Sequence, residues 1–334
     1  FLTKTVLVLF VFIDDIRRGI KWLIRKYSKP KIEAKEGGIS RSEFLNKSGI
    51  IVAALPVISM SWGVISGAHD YRVRRITLPI KGLPNAFNGL KIAQLSDIHS
   101  GSFWNKTAVE GGIDLLEAEK ADIAFFTGDL VNNKASEMQN WGSVFERIKA
   151  PLGVYAVFGN HDYGDYVDWP SIAAKEKNLN DLRTIQKNMG WKLLENENHI
   201  IELDGEKLGI IGVENWSARG HFPKYGKLNQ ASKGLEETSL NVLLSHDPSH
   251  WQAEVVPNFP KIDLTLSGHT HGMQFGVEIP GFKWSPAQYF YDEWAGLYKA
   301  NEQYLYVNRG YGYIGFPGRV GIPPEITILT LEQA

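Results

Sequence analysis

Gly159-Asn160-His161-Asp162 follows the apolar run Val154 to Phe158, and this stretch decides how the chain is interpreted. The apolar run predicts a buried strand, so an amide, an imidazole and a carboxylate come directly after its end. Three more apolar strands end in the same way: Leu90 to Leu95 before Asp97-Ile98-His99, Ile123 to Thr127 before Gly128-Asp129, and Leu264 to Leu266 before Gly268-His269-Thr270-His271. The interpretation depends on whether these four strand ends converge.

Length and composition limit the classes of protein to consider. With 334 residues, the chain can form one large domain with an additional segment, or two small domains. Its net charge of −1 disfavours nucleic-acid binding, which usually needs a basic face. The absence of cysteine excludes disulfide frameworks, thiolate nucleophiles and cysteine-based zinc sites.

The first 48 residues predict the end of a membrane helix followed by a basic loop. Thr5 to Ile13 is apolar but too short to cross a bilayer, and we expect Asp14 and Asp15 to end the helix. Because the chain starts with Phe1 rather than Met, we expect it to begin inside a longer protein. Residues 14–48 contain ten basic and five acidic side chains, which is typical of a juxtamembrane segment.

Gly49 to Ala68 is the predicted transmembrane anchor. These twenty residues contain no ionisable side chain, and as a helix they span about 30 Å, one hydrocarbon thickness. The alternative is a buried core helix, which explains the basic flank less well. The positive-inside rule places residues 14–48 in the cytoplasm and the chain after Ala68 outside it.

An export signal is a second alternative for this segment. Ser40-Arg41-Ser42-Glu43-Phe44-Leu45 resembles a twin-arginine signal in which Ser42 replaces the second arginine, and Ser66-Gly67-Ala68 has the small residues of a cleavage site. The departure at Ser42 and the length of the apolar run favour a retained anchor.

Residues 71–334 form the predicted soluble α/β domain. Strands alternate with helices near 106–119, 137–149 and 170–190, which favours crossover units around a sheet. Short apolar strands with fewer intervening helices follow and predict a second sheet packed on the first: His199 to Leu203, Leu208 to Val213, Val242 to Leu244, Leu264 to Leu266, Tyr304 to Val307 and Ile326 to Leu331.

The polar side chains at the strand ends are metal-ligand types. Carboxylate, imidazole and amide groups suit Mn²⁺, Fe and Zn²⁺. Of nine histidines, five follow strands in this way: His99, His161, His246, His269 and His271. Two ions about 3.5–4 Å apart can polarise a phosphoryl oxygen and generate hydroxide, and a nearby imidazole that is not a ligand can protonate the leaving oxygen.

The order Asp-x-His, Gly-Asp, Gly-Asn-His-Asp, a lone His and Gly-His-x-His resembles the calcineurin-like metallophosphoesterase superfamily, and the N-terminal membrane segment is similar to that of its membrane-associated bacterial branch. The resemblance covers roughly residue 75 to the end. It implies a four-layer α/β/β/α sandwich, that is, two packed mixed β-sheets flanked by helices. It also implies a hydrolase with two divalent ions, Mn, Fe or Zn.

The resemblance also implies a role for each motif residue. One ion would be held by Asp97, His99, Asp129 and His271, and the other by Asp129, Asn160, His246 and His269, with Asp129 as the bridge. His161 would be the general acid, oriented by Asp162. Arg309 and Arg319 near the C-terminus are candidates for phosphate contact or structural pairing.

The predicted function is therefore hydrolysis of a phosphomonoester, phosphodiester or pyrophosphate by a membrane-anchored enzyme. The anchor and the aromatic run from Phe282 to Tyr298 suggest a lipid or cell-envelope substrate. The alternatives are a metal-binding scaffold of the same fold without turnover, which has no need of His161, and a nuclease, which the near-neutral charge disfavours. The oligomeric state does not follow from the sequence.

Overall fold

The computed structural model describes residues 2–27, 41–220 and 222–334 and divides the chain into two compact units, Phe1–Val64 and Ile65–Ala334. The first unit is built from helices α1 (Leu2–Tyr27) and α2 (Arg41–Ile65). Within the described residues, the segment Lys47–His69 has the length and composition needed to cross a membrane, with a mean hydropathy of 1.9.

Helix α1 continues through the two aspartates that were expected to end it. The Asp14 carboxylate pairs with Arg17 at 3.1 Å and with Arg18 at 2.7 Å, one turn further along the same helix. Such pairs stabilise a helix, so the predicted end at Asp14 and Asp15 is wrong. The predicted basic loop is helical over residues 14–27 and 41–48, and residues 28–40 lie outside the described part.

The second unit, over residues 65–220 and 222–334, contains two six-stranded mixed sheets, a two-stranded hairpin and short helices. The helices are α3 (Lys106–Ala118), α4 (Gly142–Phe145), α5 (Ile172–Asn188), α6 (Leu228–Ala231) and α7 (Val256–Asn258). The strands are β1 (Arg72–Ile80), β2 (Lys91–Leu95), β3 (Ile123–Phe126), β4 (Val154–Ala156), β5 (Lys192–Leu193), β6 (Glu197–Leu203), β7 (Glu206–Gly212), β8 (Leu240–Leu244), β9 (Leu264–Ser267), β10 (Val277–Ile279), β11 (Phe282–Trp284), β12 (Gly296–Ala300), β13 (Gln303–Val307) and β14 (Glu325–Gln333).

The sheets pack face to face and have helices on their outer faces. Their strand orders are β1-β14-β2-β3-β4-β5 and β12-β13-β9-β8-β7-β6. Side chains such as Ile92 and Phe125 of one sheet share a buried cluster with Val242 and Leu264 of the other. Two further clusters pack the helices on the outer faces. The predicted four-layer α/β/β/α sandwich is confirmed.

The topology brings the carboxyl-terminal ends of several strands to one edge of the sandwich. Strands β2, β3 and β4 run parallel in the first sheet, and β8 and β9 run parallel in the second. Parallel strands present their carboxyl ends at the same edge, which is where open α/β sheets usually bind ligands. The predicted motif residues follow these five strands.

The helix predicted near 137–149 is replaced by a 3₁₀ turn, Ala135–Asn140, and the short helix α4. The Glu137 carboxylate accepts hydrogen bonds from the backbone amides of Asn132, Asn133 and Lys134. These contacts tie the turn to the preceding loop, and Gly142 weakens helical continuation. Strands β10, β11 and β12 lie in the aromatic region and were not predicted.

Candidate metal centre

The backbone at the strand ends adopts the left-handed conformation at five residues that are not glycine. This conformation is uncommon for residues with a side chain and concentrates at functional sites. Their φ angles are 52° for Asp97, 48° for His99, 60° for Asp129, 71° for His269 and 50° for His271. All five are motif residues, and other described non-glycine residues, such as Lys120 and Asn301, have positive φ outside the motifs.

The first group of donors consists of Asp97, His99 and His271. The Nε2 atoms of His99 and His271 are 3.1 Å apart, and His271 Nε2 lies 3.2 Å from Asp97 Oδ1. All three side chains are buried. Three donor atoms that face one another in this way can hold a divalent cation.

The second group consists of Asp129, His246 and His269, with Asn160 beside them. His246 Nε2 lies 3.1 Å from Asp129 Oδ2, 3.2 Å from His269 Nδ1 and 3.2 Å from Asn160 Oδ1. The Asn160 amide nitrogen donates to the Tyr166 hydroxyl, which leaves its oxygen directed at the donors. The predicted amide ligand therefore lies with the predicted histidines.

Asp129 lies between the two groups. Its Oδ2 atom is 3.5 Å from His99 Nε2 in the first group and 3.1 Å from His246 Nε2 in the second. The close approach of the Asp129 carboxylate to the backbone of Gly159 leaves no room for a Cβ atom there. One carboxylate can thus contact cations in both positions, as a bridging ligand must.

Outer contacts fix the orientation of the donor rings. His246 Nδ1 lies 2.7 Å from the carbonyl oxygen of Thr127, which leaves Nε2 for a metal. His269 Nε2 lies 2.9 Å from the Tyr291 hydroxyl and 3.6 Å from Asp247 Oδ2, which leaves Nδ1. Such contacts orient metal-binding histidines.

Asp247 and Tyr291 were missed as functional residues by the sequence interpretation. Asp247 had a local signal, since it directly follows His246 at the end of a strand. Tyr291 belongs to the aromatic run from Phe282 to Tyr298, but nothing in the sequence indicated that its hydroxyl reaches His269 from the loop after β11.

His161 lies on the open side of the donor groups. Its Nδ1 atom is 2.8 Å from the carbonyl oxygen of Asn132, and its ring is 5.0 Å from the ring of His99. Because a carbonyl only accepts hydrogen bonds, Nδ1 carries a proton and Nε2 is the atom available to the cavity. This position suits a proton donor.

The prediction that Asp162 orients His161 is wrong. The buried Asp162 carboxylate accepts hydrogen bonds from the backbone amides of Asp129, Leu130, Val131 and Gly159. It therefore holds the Asp129 loop against the strand β4 loop, whereas Asn132 orients the imidazole. Asp162 is fully buried and contacts no space open to a substrate.

The charges of the site favour cation binding. Although burial opposes ionisation, the neighbouring histidines hold the pKa of Asp97 and Asp129 below its usual range. Burial lowers the pKa of His99 to about 3, so this ring is neutral and can bind a metal. Burial would also lower the pKa of His246, but the Asp129 carboxylate outweighs it and raises the pKa to about 10, so a cation that binds this ring must displace a proton.

A cavity of about 300 Å³ opens over the donor groups. Asp129, Asn160 and four histidines of the site form its floor: His99, His161, His269 and His271. Its wall is made by Arg219, Phe222, Met273, Phe290, Tyr291 and Ile314. The Arg219 guanidinium lies 4.7 Å from the centre of the Tyr291 ring. Arg219 is thus a positive group at the cavity that the sequence interpretation missed.

The two arginines suggested for phosphate contact have other partners. Arg309 is buried and pairs with Glu325 and Glu278, and buried Arg319 donates to the carbonyl oxygens of Arg309 and Gly312. Arg309 therefore has the structural role, whereas Arg319 Nη2 also lies 3.2 Å from His271 Nδ1 and so borders the first donor group. Among the other histidines, His250 is buried, and His221 lies outside the described residues.

Comparison with known families matches this arrangement of fold and site. The profile of the family described as "Calcineurin-like phosphoesterase" matches residues 90–273, which include every motif residue named above. The chain belongs to the calcineurin-like phosphoesterase family. A second profile, "Probable Calcineurin-like phosphoesterase, transmembrane domain", matches residues 1–68. The chain is thus a membrane-associated metallophosphoesterase, and its enzyme class is hydrolase.

Similar proteins occur in animals and bacteria. The "Transmembrane protein with metallophosphoesterase domain" of Danio rerio is 28% identical over 98% of this chain and 71% of its own length. The protein of the same description in Bos taurus is 29% identical over 81% of this chain and 60% of its own length. The "Uncharacterized metallophosphoesterase YkuE" of Bacillus subtilis is 28% identical over 88% of this chain and 98% of its own length.

Proposed function

We propose that this metallophosphoesterase hydrolyses a phosphomonoester, phosphodiester or pyrophosphate by activating water at two divalent ions. The observation that carries the proposal is the position of Asp129, whose Oδ2 atom lies within 3.5 Å of a histidine from each donor group. His161 borders the same cavity. When bound, two such ions lower the pKa of water and polarise a phosphoryl oxygen.

The donor groups divide the proposed ligands into two sets that share Asp129. Asp97, His99 and His271 complete one set, and Asn160, His246 and His269 complete the other. Imidazole, carboxylate and amide donors without sulfur suit Mn, Fe or Zn. A negative bridge also reduces the repulsion between two cations, which supports Asp129 at this position.

The protein groups around the cavity can bind and protonate a phosphoester. Arg219 on the cavity wall supplies a positive charge for a phosphoryl oxygen. His161 can donate a proton from Nε2 to the leaving oxygen while Asn132 holds the other nitrogen. The apolar wall of Phe222, Met273 and Phe290 suits the nonpolar part of a substrate, which supports a lipid or cell-envelope compound.

Metal removal provides the direct test of this function. We expect the full chain in detergent to hydrolyse p-nitrophenyl phosphate or bis(p-nitrophenyl) phosphate with Mn²⁺, to lose this activity after chelation and to regain it when Mn²⁺ is returned. Absorbance of released nitrophenolate measures the rate. If neither these esters nor a panel of soluble and lipid-linked phosphoesters is hydrolysed by the metal-loaded chain, a scaffold without turnover replaces the proposal.

We also propose that Gly49 to Ala68 is a retained anchor and that residues 71–334 lie outside the cytoplasm. Residues 14–48 carry the excess of basic side chains. The arginines just after the anchor have partners within the domain: Arg72 pairs with Asp70, and Arg75 pairs with Glu119. Ala68 is buried, which supports an uncleaved chain at the small residues Ser66-Gly67-Ala68.

Cysteine labelling can test this orientation, because the chain has no cysteine of its own. In intact cells, we expect a membrane-impermeant maleimide to label the Ile172→Cys variant in the domain but not the Lys35→Cys variant in the basic segment. After lysis, both variants should be labelled. Labelling of Lys35→Cys alone in intact cells would show the opposite orientation.

A further inference from the structure

In a strand at the surface of a core, apolar side chains usually face the interior and polar ones face solvent. In the segment from Met273 to Ile279 the opposite holds. Its odd-numbered side chains are apolar and exposed, with exposed fractions of 44% for Met273, 39% for Phe275, 44% for Val277 and 59% for Ile279. The even-numbered residues between them are buried or half-buried: Gln274, Gly276 and Glu278. The backbone becomes extended at Phe275 and continues into β10, and side chains alternate along an extended strand, so Phe275, Val277 and Ile279 form one face. Met273 is exposed in the turn directly before this stretch, where its φ is 50°.

Strand β11 extends this face. In the antiparallel pairing, Ile279 is opposite Phe282, and Val277 is opposite Trp284. Residues that are directly opposite lie on the same side of a sheet. Phe282 is 54% exposed, and the Trp284 ring contacts that of Phe275. We call Met273, Phe275, Val277, Ile279, Phe282 and Trp284 the apolar hairpin face.

Buried charges hold the hairpin in this orientation. The Glu278 carboxylate points inward and pairs with Arg74 at 2.7 Å and with Arg309 at 2.9 Å. Glu325 pairs with the same two arginines, at 3.3 Å and 2.5 Å, which closes a ring of four charges. Because turning the hairpin over would remove Glu278 from this ring, the exposure of the apolar face is built into the fold.

The apolar hairpin face continues into the metal cavity. Met273 belongs to both, because its side chain also lines the cavity wall. Phe290, which is 52% exposed, lies on the same wall, and the neighbouring Tyr289 is 72% exposed. An apolar group bound at the hairpin therefore has a continuous apolar route to the catalytic floor.

The same hairpin is joined to the end of the apolar segment Lys47–His69. Gly67, near the end of that segment, packs so closely on the Arg319 carbonyl that a Cβ atom would not fit. The next residue, Val320, donates to the carbonyl oxygen of Gln274 and accepts from the amide of Gly276, directly before β10. Two steps of backbone contact thus connect Gly67 with the hairpin within the second unit.

We propose that the apolar hairpin face rests in the interfacial layer of the membrane and that the cavity accepts phosphoesters whose apolar chains remain in the bilayer. The substrate class rests on the proposed function, whereas membrane contact by the hairpin does not. A large apolar face on a water-soluble surface usually marks an interaction site. The contact of Gly67, just beyond the end of helix α2 in the predicted anchor, favours the lipid surface as its partner. Trp and Tyr side chains such as half-buried Trp284 and exposed Tyr289 are typical of this layer.

Membrane contact can be measured without any assay of activity. The full chain is reconstituted into vesicles of phosphatidylcholine and phosphatidylglycerol, with one environment-sensitive fluorophore attached at Phe282→Cys. Ile172→Cys is the matched control, because Ile172 is an apolar residue that is 79% exposed at the start of α5. We expect bromine-labelled lipids to quench the label at 282 and not the label at 172. Equal, water-like emission at both positions would overturn the proposal. The face would then be exposed to water or covered by another protein, and not by lipid.

The substrate class needs a second experiment on the variant Ile279→Glu/Phe282→Glu, whose residues do not line the cavity. We expect unchanged hydrolysis of a soluble aryl phosphodiester and about tenfold slower hydrolysis of a lipid-linked phosphoester in vesicles, because charged side chains weaken interfacial binding. Equal rates for the variant and the unmodified chain on the vesicle substrate would overturn the substrate class. If the unmodified chain hydrolyses no phosphoester, the proposed function fails while the quenching result still decides membrane contact.

Discussion

Replacement of Asp129 by alanine is expected to reduce phosphoester hydrolysis by about 10³-fold or more, since metal ions contribute several kcal/mol to such reactions. The Asp129 carboxylate contacts His99 in one donor group and His246 in the other. Its Oδ1 atom also accepts the backbone amide of His161. Loss of this side chain therefore removes the proposed shared ligand and a contact to the backbone of His161, the proposed proton donor.

Metal content separates this explanation from simple unfolding. We expect mass spectrometry of the Asp129→Ala variant to show fewer bound ions per chain, with a melting transition that remains cooperative. Asp263→Ala is a matched control, because Asp263 is a mostly buried aspartate whose carboxylate accepts the Asn241 amide in the second sheet, away from the cavity. An Asp129→Ala variant that keeps full metal-dependent activity would show that the site is assigned to the wrong residues.

Replacement of His161 by alanine is expected to lower the rate by about 10²- to 10⁴-fold, which is the usual contribution of a general acid. Both donor groups remain intact in this variant, because His161 contributes no atom to either. The loss should depend on the leaving group. Phenyl phosphate needs a proton more than p-nitrophenyl phosphate does, so its hydrolysis should decrease more.

Asn160→Ala provides the comparison for His161→Ala. The Asn160 oxygen lies 3.2 Å from His246 Nε2, so its removal should weaken metal occupancy, whereas His161→Ala should leave both ions bound. Metal stoichiometry and the rates for the two aryl phosphates measure these differences. Equal metal loss in both variants, or an equal rate loss for both leaving groups in His161→Ala, would contradict the assigned roles.

The sequence predicted two packed sheets, because their strands are apolar and short and each has a local pattern. It assigned Ile326 to Leu331 to the second sheet, which is wrong, because this strand is β14 and pairs with β1 and β2 in the first sheet. It also predicted the donor residues, since polar side chains directly after parallel strands must meet at one edge of a sheet. Two further errors concern where helices end, because a helix end depends on the contacts that its side chains make. Helix α1 passes Asp14 because Arg17 and Arg18 neutralise that carboxylate, and the helix predicted near 137–149 is broken where Glu137 binds the preceding loop.

The exact partners within the site could not be predicted in the same way. Asp162 is adjacent to His161 in sequence, but its carboxylate turns to four backbone amides, and a carbonyl oxygen 29 residues earlier orients the imidazole. A backbone carbonyl has no sequence signal, because every residue carries one. The sequence also could not distinguish buried Arg309 and Arg319 from Arg219 at the cavity wall, because the three side chains differ only in their tertiary surroundings.

The sequence by itself determined two packed sheets, the apolar N-terminal segment and the polar residues at the strand ends, because strand periodicity and strand-end chemistry are local properties. Only the tertiary structure decided that Asn132 orients His161 and that the hairpin exposes its apolar face. These features depend on contacts between residues far apart in the chain. The hairpin is the clearest case, since the direction of Glu278 is set by Arg74, more than 200 residues earlier.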